Sequence, residues 1–408
     1  MKERLAVINE IAKRYRKTGK RGKTKILDEL IELTGYNRKY AIHQVANWGR
    51  RKEIREGERL IIAVGGRNRR KRKAREKKYD GKMVEALVKI WSVYGCLCGK
   101  RLRAVLEGQK EVLRKCRTFA FEEEVWEKLG EIRAATIDRL LKPERQKVEL
   151  KGRSYTKPGT LVKHRIPIRR GSDWDEKVPG YVEVDLVGHE GGNARGDFAF
   201  SLNVTDVATG WTEPVAIKNK ARKWTFEGLL EVRKRLPMVL RGIDSDNGSE
   251  FINDHLWQYC DNEGIVFTRS RPNRKNDNCY IEQKNYTVVR KYVGYFRYDT
   301  EEELAVMNEL YSQVRLLVNF FLPSMKLLEK TRMGSKVVKK YDRPKTPYQR
   351  LLEYGTLTEE ARGKIECEFQ SLNPVGIQRK IVALQDNLER LVIRKQRLSE
   401  SPARKRAL

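Results

Sequence analysis

Three absences narrow what this 408-residue chain can be. No apolar run approaches the roughly 18 residues of a membrane-spanning helix, and the N-terminus has no signal-peptide core, so we expect a soluble, cytosolic (nucleoid-associated) protein without a membrane partner. Cysteine is scarce, and the six residues are scattered at Cys96, Cys98, Cys116, Cys260, Cys279 and Cys367. They form no CxxC pair and have no nearby His to complete four ligands, which favours reduced thiols over a disulfide framework or a zinc site.

Acidic residues are too few to balance the basic ones. The chain has 87 Lys and Arg against 55 Asp and Glu, and the resulting net charge of +32 favours a polyanionic partner. The excess is uneven, because residues 1–180 carry +25, residues 181–300 are neutral and residues 301–408 carry +7. This distribution predicts that nucleic acid is captured mainly by the flanking segments, apart from the neutral centre.

Three carboxylates in the central segment form a pattern that suits phosphoryl transfer. Asp185 lies in the strand-like run YVEVDLVGH, Asp246 follows a second such run, and Glu282 opens a stretch with apolar residues at helical spacing. There are 60 residues between Asp185 and Asp246, and 35 between Asp246 and Glu282. Two strand ends and one helix can therefore present the three acids to one point.

Carboxylates that share a site repel one another and are driven towards protonation unless cations neutralise them. Oxygen ligands of this kind are typical of Mg²⁺ sites that also bind a substrate phosphate. Two ions about 3.5 to 4 Å apart can activate the attacking water or 3′-hydroxyl and stabilise the leaving oxygen. The pattern predicts two Mg²⁺ ions, replaceable by Mn²⁺, with Asp185 bridging them.

The segment 181–300 also resembles a known family in its motifs VEVDLVGH, NVTDVATGW, DSDNGSEF and NDNCYIEQKN. Their order and the 35-residue gap before Glu282 are similar to those of DDE transposases and integrases of the retroviral-integrase superfamily, in particular bacterial insertion-sequence transposases. The resemblance implies an RNase H-like α/β core with Asp185, Asp246 and Glu282 as catalytic metal ligands. It also implies a homo-oligomer on double-stranded DNA, which would comprise the element's terminal inverted repeats and the target DNA.

Two features depart from the retroviral members of that superfamily. Their basic DNA-gripping residues beyond the catalytic Glu are replaced here by Tyr286 and Val289, and their amino-terminal zinc-binding His and Cys set is absent. We therefore expect DNA contacts on this helix at Lys284, Asn285 or Arg290. The departures favour the bacterial form of the family.

Other polar residues in the central segment compete for roles at the site. Asp244 shares strand parity with Asp246 and is the alternative ligand. Asp206 is more typical of a residue that caps a turn. His189 falls on the face of Asp185 if the strand runs that far, and would then contact a metal or phosphate, support the ligands or serve only the structure. Asp244, His189 and Asn247 are thus the candidate supporting residues.

The N-terminal segment has the pattern of a helix-turn-helix. An apolar helical stripe, a break at Thr34-Gly35 and a second, basic helix capped by Asn37 follow one another. The stripe consists of Ile26, Leu27, Leu30, Ile31 and Leu33. The predicted groove or phosphate contacts are Arg38, Lys39, His43 and Gln44. A helical hairpin with a solvated basic face is the alternative.

Three further stretches are predicted to contact DNA. Between Arg67 and Lys78, nine of twelve residues are basic, which indicates a linker that follows phosphates. Short helices separated by glycines then predict a second helix-turn-helix-like unit that Pro143 closes, and the loop before Glu282 is expected to line the DNA channel. The residues chosen from these stretches are Arg69, Arg70, Lys71, Arg72, Lys73, Arg139, Arg271, Arg274 and Lys275.

These patterns predict a multidomain protein with N-terminal all-α helix-turn-helix-like units, a central α/β RNase H-like core in which helices flank a mixed sheet, and a mostly helical C-terminal region. The predicted segments are a reading unit (1–62), a basic linker (63–78), a second helical unit (79–142), an extended basic linker (143–180), the catalytic core (181–300) and a C-terminal region with a long amphipathic helix and a disordered tail (301–408).

The function that follows is a DNA transposase that cleaves element ends and transfers their 3′-hydroxyls to target DNA. The alternatives are a catalytically inactive, transposase-derived DNA-binding regulator and an RNase H-like nuclease. An inactive regulator has no physical reason to keep three mutually repelling acids, and such a nuclease does not need two DNA-reading units.

Overall fold

The computed structural model describes residues 2–49, 51–56, 59–64, 78–147, 178–246, 248–270, 279–333 and 336–400. The chain forms two compact units, Met1–Lys78 and Tyr79–Leu408. Most of the predicted basic linker, residues 148–177 of the extended linker, the loop 271–278 and the C-terminal tail lie outside the described residues. Among those that are described, no helix combines the length and apolarity that crossing a membrane requires.

The first unit consists of three helices and a β-hairpin. The helices are α1 (Lys2–Lys17), α2 (Lys20–Thr34) and α3 (Arg38–Asn47), and the strands are β1 (Arg51–Glu56) and β2 (Arg59–Val64). As predicted, Gly35 ends α2 in the left-handed conformation and the Asn37 side chain accepts a hydrogen bond from the Tyr40 amide at 2.8 Å. The helices bury Ile8, Ile11, Ala12, Ile26, Leu27, Leu30, Ala41 and Val45.

Two details of this unit differ from the sequence prediction. Leu33 was assigned to the apolar stripe but is 61% exposed, because it lies on the outer side of α2. The unit is also not all-α, since β1 and β2 pair as an antiparallel hairpin. The run LIIAV in β2 is rich in residues that favour strands, and the short Gly57-Glu58 connection suits a hairpin.

The second unit opens with the helices α4 (Gly81–Val93), α5 (Gly99–Gly108), α6 (Lys110–Lys115), α7 (Glu123–Glu131) and α8 (Ala134–Gln146), with a 3₁₀ turn at Arg117–Phe119. The prediction that Pro143 closes this segment was wrong by three residues, because α8 continues through it to Gln146. Proline removes one backbone hydrogen bond near the helix end, where such a loss costs least.

A five-stranded mixed sheet forms the centre of this unit. Its strands are β3 (Tyr181–Gly188), β4 (Phe200–Asp206), β5 (Thr212–Ile217), β6 (Gly242–Ser245) and β7 (Val266–Arg269), in the order β5-β4-β3-β6-β7. The first three strands form an antiparallel meander, and β6 and β7 run parallel to β3. The helices α9 (Arg222–Arg235) and α10 (Asp254–Asn262) connect the later strands. The predicted mixed sheet flanked by helices is confirmed.

Helices cover both faces of the sheet. On one face, Val182 and Val184 of β3 share a core with Leu229 of α9 and Leu256 of α10. On the other face, Val187 belongs to a core that includes α4 to α8 and the C-terminal helices. Because Glu183 and Asp185 have the parity of Val187, they point towards this second layer, so the polar side of β3 is covered by helices and not by solvent.

The remaining elements complete that second layer. The helical segments are α11 (Cys279–Lys284), a π-helical segment (Asn285–Arg290), α12 (Lys291–Val293), α13 (Glu301–Leu316), a second π-helical segment (Leu317–Phe321), α14 (Pro347–Tyr354), α15 (Glu359–Ser371) and α16 (Pro374–Glu400). A hairpin of β8 (Leu327–Met333) and β9 (Lys336–Tyr341) precedes α14. The predicted amphipathic helix is α16, which buries Ile377, Ile381, Leu388 and Leu391.

Candidate active site

Asp185 and Asp246 occupy adjacent positions on neighbouring parallel strands. The register of β3 and β6 pairs Val184 with Ser245, so Asp185 on β3 lies beside Asp246, the residue that directly follows β6. On the opposite side of β3, Asp185 pairs with Asn203 of β4. Both acids were predicted at strand ends, which holds for Asp246 but not for Asp185, the fifth of the eight residues of β3. Only the register shows that the two acids lie side by side.

Glu183 fixes the start of the helix that carries Glu282. Its buried Oε2 atom accepts hydrogen bonds from the amides of Tyr280 at 3.1 Å and Ile281 at 2.9 Å. Such charge-assisted bonds satisfy amides that have no partner within the helix. Because Glu183 lies two residues before Asp185 on the same face of β3, one strand both holds the helix and carries the first acid. The side chain of Glu282 is exposed.

Two asparagines support the Asp185 carboxylate. Asn285 donates a hydrogen bond to Asp185 Oδ2 at 2.6 Å, and Asn203 donates to Asn285 Oδ1 at 3.0 Å. Asn285 opens the π-helical segment, a distortion that is frequent at functional sites. The sequence analysis considered Asn285 only as a DNA contact and missed Asn203. Since β4 also contains Ser201, Thr205 and Asp206, no local pattern singled out Asn203.

The charges of the three acids are coupled at Asp185. Burial raises the pKa of the Asp185 carboxyl to about 7, and the charges of Asp246 and Glu282 add to the rise, while the Asn285 hydrogen bond opposes it. Burial likewise raises the pKa of Asp246, against the effect of its hydrogen bond from the Gly248 amide. Although 60 residues lie between Asp185 and Asp246 and 35 between Asp246 and Glu282, the charges of both later acids therefore reach the Asp185 carboxyl.

A fourth carboxylate, Glu250, lies beside Asp246. Burial raises the pKa of Glu250, and the charge of Asp246 contributes to the increase. Gly248 makes this approach possible, since a Cβ atom there would lie 2.6 Å from Glu250 Cδ and 2.9 Å from Asp246 Oδ1. The sequence analysis missed Glu250, although its position four residues after Asp246 in DSDNGSEF was a signal. The motif therefore needs glycine at position 248, because a side chain there would collide with both carboxylates.

The alternative acids have other surroundings. Asp244 is fully buried inside the sheet, where it accepts a hydrogen bond from the Thr268 hydroxyl at 2.5 Å and pairs in register with Glu183. Asp206 accepts hydrogen bonds from the amides of Gly180 at 2.8 Å and Thr209 at 2.7 Å, as expected of a turn residue. Asp244 lies inside strand β6, whereas Asp246 directly follows the end of that strand.

His189 lies in a different, fully buried cluster. Its Nε2 atom is 2.7 Å from Ser201 Oγ, which is 2.5 Å from the Tyr311 hydroxyl, and its ring packs against Tyr298. Burial lowers the pKa of His189 to about 3, and the charge of Arg290 adds to the decrease. The ring is therefore neutral at physiological pH and serves the packing between β3, β4 and α13.

This burial predicts a pH-dependent stability. The unfolded chain binds the His189 proton below about pH 6.5 and the folded chain does not, so the free energy of unfolding should fall as pH decreases from 6.5 towards 3. The contribution is at most about 1.4 kcal/mol per pH unit. Urea unfolding at about pH 7 and about pH 5.5 should show a smaller decrease in a His189→Gln variant than in the native chain. Equal decreases would show that His189 is not buried as a neutral group.

The candidate ligands are of the chemical type that Mg²⁺ prefers. Their side chains, as positioned here, are not close enough together to bind one ion. All candidate donors are carboxylate oxygens, and their mutual repulsion is what a cation would relieve. Among the described residues, however, no three His, Cys, Asp or Glu side chains are close enough together to hold a metal ion. Asp185 Oδ1 accepts a hydrogen bond from the Leu186 amide and Oδ2 accepts one from Asn285, which leaves each oxygen a lone pair for a cation. Metal binding by all three acids therefore requires Asp246 and Glu282 to move closer to Asp185.

No protein-family model matches the chain. The curated "Uncharacterized protein y4rM" of Sinorhizobium fredii is 37% identical to it over 352 residues, which cover 86% of this chain and 95% of that protein. The chain belongs to the y4rM family.

The catalytic core domain of BIV integrase has a TM-score of 0.28 and 14% identity, covering 43% of this chain and 95% of its own. The HTLV-2 integrase catalytic core domain in complex with magnesium has a TM-score of 0.27 and 14% identity, covering 41% and 95%.

In this member of the y4rM family, the predicted DNA contacts of the first unit lie on one helix. Lys39 and His43 of α3 are exposed and Gln44 is half-buried, whereas Arg38 is exposed but forms an ion pair with Asp28. The helix thus presents a basic outer side. Its role in binding DNA stays a prediction.

The other predicted contacts are more dispersed in this y4rM-family chain. Arg139 is exposed on α8. Lys284 is half-buried and donates to the Gly210 carbonyl at 3.1 Å, and burial together with Arg101 and Arg350 lowers its pKa to about 7. The residues Arg69, Arg70, Lys71, Arg72, Lys73, Asn247, Arg271, Arg274 and Lys275 lie outside the described part of the chain.

Cys96 and Cys98 lie between α4 and α5, and Cys116 directly follows α6. Cys96 and Cys98 are exposed, whereas Cys116 is buried with its Sγ atom 3.2 Å from the Val112 carbonyl oxygen. Cys96 has a left-handed backbone, φ 63°, directly after Gly95 at the end of α4. Cys96 is thus part of a helix end, and Cys116 is part of the core.

Proposed function

We propose that the chain is a DNA strand transferase of the DDE transposase type with an RNase H-like core. It would cleave the ends of a mobile element by hydrolysis and join the freed 3′-hydroxyls to target DNA by in-line transesterification. The observation that carries the proposal is the coupling of Asp185 to both Asp246 and Glu282, which arrive from two strands and a helix. The central antiparallel meander followed by two parallel strands supports the RNase H-like assignment.

Asp185, Asp246 and Glu282 would hold Mg²⁺, which when bound supplies activation of the attacking oxygen and stabilisation of the leaving oxygen. The protein's own residues prepare this site. Glu183 holds the first turn of α11, so that Glu282 stays near Asp185 in the middle of β3. Asn285, itself held by Asn203, keeps one oxygen of Asp185 oriented while the other acids change position.

DNA would be bound mainly by residues outside the segment that carries the three carboxylates. The exposed side of α3, with Lys39 and His43, suits reading of the element's ends, and Arg38 would exchange Asp28 for a phosphate. The charge of +25 on residues 1–180 supports strong, salt-dependent binding there. A homo-oligomer would be needed to bring two DNA ends to one target.

The proposal predicts a defined metal dependence. With duplexes taken from the DNA that flanks the gene, we expect nicking and joining with Mg²⁺ or Mn²⁺, and DNA binding without chemistry with Ca²⁺, because Ca²⁺ accepts looser coordination. Gel separation of labelled strands measures both steps.

Each outcome of this assay has a distinct meaning. Cleavage without joining to a second duplex would favour a nuclease. Specific binding without cleavage in any of the three metals would favour a regulator. Activity that persists in EDTA would contradict the assignment of the acids as metal ligands, and a y4rM-family chain that does not bind these duplexes at all would contradict the proposed substrate.

A further inference from the structure

The hairpin of β8 and β9 projects from the second unit with both faces open. Every side chain described in it, residues 327–332 and 337–341, is exposed. Leu328 is 62% exposed and Val337 is 43% exposed. An isolated two-stranded hairpin is at best marginally stable in water, so this one is expected to gain stability from a partner.

The base of the hairpin is held by hydrogen bonds and an ion pair, although the described side chains of its two strands are exposed. Asp342 accepts a hydrogen bond from the Lys326 amide at 2.7 Å and forms an ion pair with Arg350 at 2.6 Å. Arg350, which is buried, also donates to the Ser324 carbonyl at 3.0 Å. The hairpin is therefore oriented by the α14 layer and presents a fixed pair of faces.

The two faces differ in charge. The register pairs Lys330 with Lys339 and Arg332 with Val337, and residues opposite one another or two apart share a face. Lys330, Arg332 and Lys339 thus form a basic face. The other face contains the pairs Glu329 with Lys340 and Thr331 with Val338. Like charges directly opposite each other destabilise a hairpin, so the Lys330 and Lys339 pair favours an anionic partner.

The charge of the chain distinguishes between the two candidate partners. A second copy would bring a net charge of +32 and the same basic face, which disfavours self-association through this surface. DNA offers a regular row of phosphates, and its major groove is wide enough to admit a two-stranded ribbon. Strands of six or seven residues span about 20 Å, enough to cross such a groove.

We propose that the basic face of this hairpin, formed by Lys330, Arg332 and Lys339, binds backbone phosphates of duplex DNA without sequence preference. It would give the unit that contains the carboxylates its own grip on DNA, separate from end recognition by α3. The identification of the polyanion as DNA rests on the proposed function. The hairpin is then a contact for target DNA, which offers no fixed sequence to read.

Adjacent lysines provide a matched test. Lys339 lies on the basic face and Lys340 on the other, so Lys339→Ser and Lys340→Ser remove the same charge from opposite faces. The full chain is titrated with a random duplex in EDTA at several salt concentrations. For Lys330→Ser/Lys339→Ser, the slope of log Kd against log salt should decrease by about 1.8, since each phosphate contact contributes about 0.9. Lys339→Ser should decrease it by about 0.9 and Lys340→Ser by almost nothing.

The outcomes separate this inference from the proposed function. An unchanged slope in the double variant, or equal losses for Lys339→Ser and Lys340→Ser, would overturn the DNA contact. Unchanged DNA binding together with an altered sedimentation coefficient would also overturn it and identify the hairpin as a surface between copies. Because binding in EDTA needs no chemistry, a chain that does not cleave DNA can still pass this test. Conversely, failure here leaves cleavage by the carboxylates untouched.

Discussion

Replacing Asp185, Asp246 or Glu282 with its amide is expected to reduce strand cleavage and joining by at least about a thousandfold, because a metal ion supplies several kcal/mol of transition-state stabilisation. DNA binding should change little, since the net charge of residues 181–300 is zero and the excess of basic residues lies in the flanking segments. Single-turnover cleavage of labelled duplexes, alongside gel-shift measurements, checks both parts of this expectation.

Asp244 provides the control for this experiment. Its carboxylate lies inside the sheet and accepts a hydrogen bond from Thr268, which an amide oxygen can also accept. The Asp244→Asn variant should therefore retain cleavage and lose stability at most. Nicking that survives in Asp246→Asn but disappears in Asp244→Asn would show that the wrong aspartate was assigned. Survival in all three amide variants would remove the basis of the proposed function.

The second large effect is expected at Asn285, whose side chain orients Asp185. The Asn285→Ala variant removes the donor at 2.6 Å and the acceptor used by Asn203. We expect the rate of cleavage to fall by about a hundredfold, with unchanged DNA affinity, because a misplaced catalytic group costs this much without loss of binding. The rate at saturating DNA and the dissociation constant should be measured separately, since a role in DNA contact would change the second.

Gln283 is the matched control for that substitution. It lies two residues earlier on the same helix and is exposed, so Gln283→Ala changes an amide without touching Asp185. Its activity should equal that of the native chain. If Gln283→Ala and Asn285→Ala lose the same activity, the effect reflects helix stability. If Asn285→Ala weakens binding as much as cleavage, Asn285 contacts DNA, as the sequence first suggested.

The order of elements in the central sheet was predictable because each element has a strong local signal. Apolar alternation marked β3 to β5, and turn residues separated them from the following helices and strands. The choice of acids was likewise local, since each occurs in its own motif. What local patterns cannot give is register, and the adjacency of Asp185 and Asp246 depends on the pairing of β3 with β6.

Two of the missed residues act over long sequence distances. Glu183 is fully buried and accepts hydrogen bonds from a helix almost a hundred residues away, and Asn203 acquires its role only through Asn285. Glu250 was missed although the acid that it affects, Asp246, is only four residues away in sequence. The hairpin in the first unit was missed for another reason, because β2 crosses the boundary between the unit predicted to be all-α (1–62) and the predicted basic linker (63–78).

The hydrogen bonds from Tyr280 and Ile281 to Glu183 span 97 and 98 residues of sequence. Contacts of such separation form late in folding, because a long loop must close before they are made. A chain still in synthesis that ends before Ile281 has all five strands of the central sheet, β3 to β7, but not the complete helix that carries the third acid. The three carboxylates are thus brought together only after more than two-thirds of the chain has been synthesised.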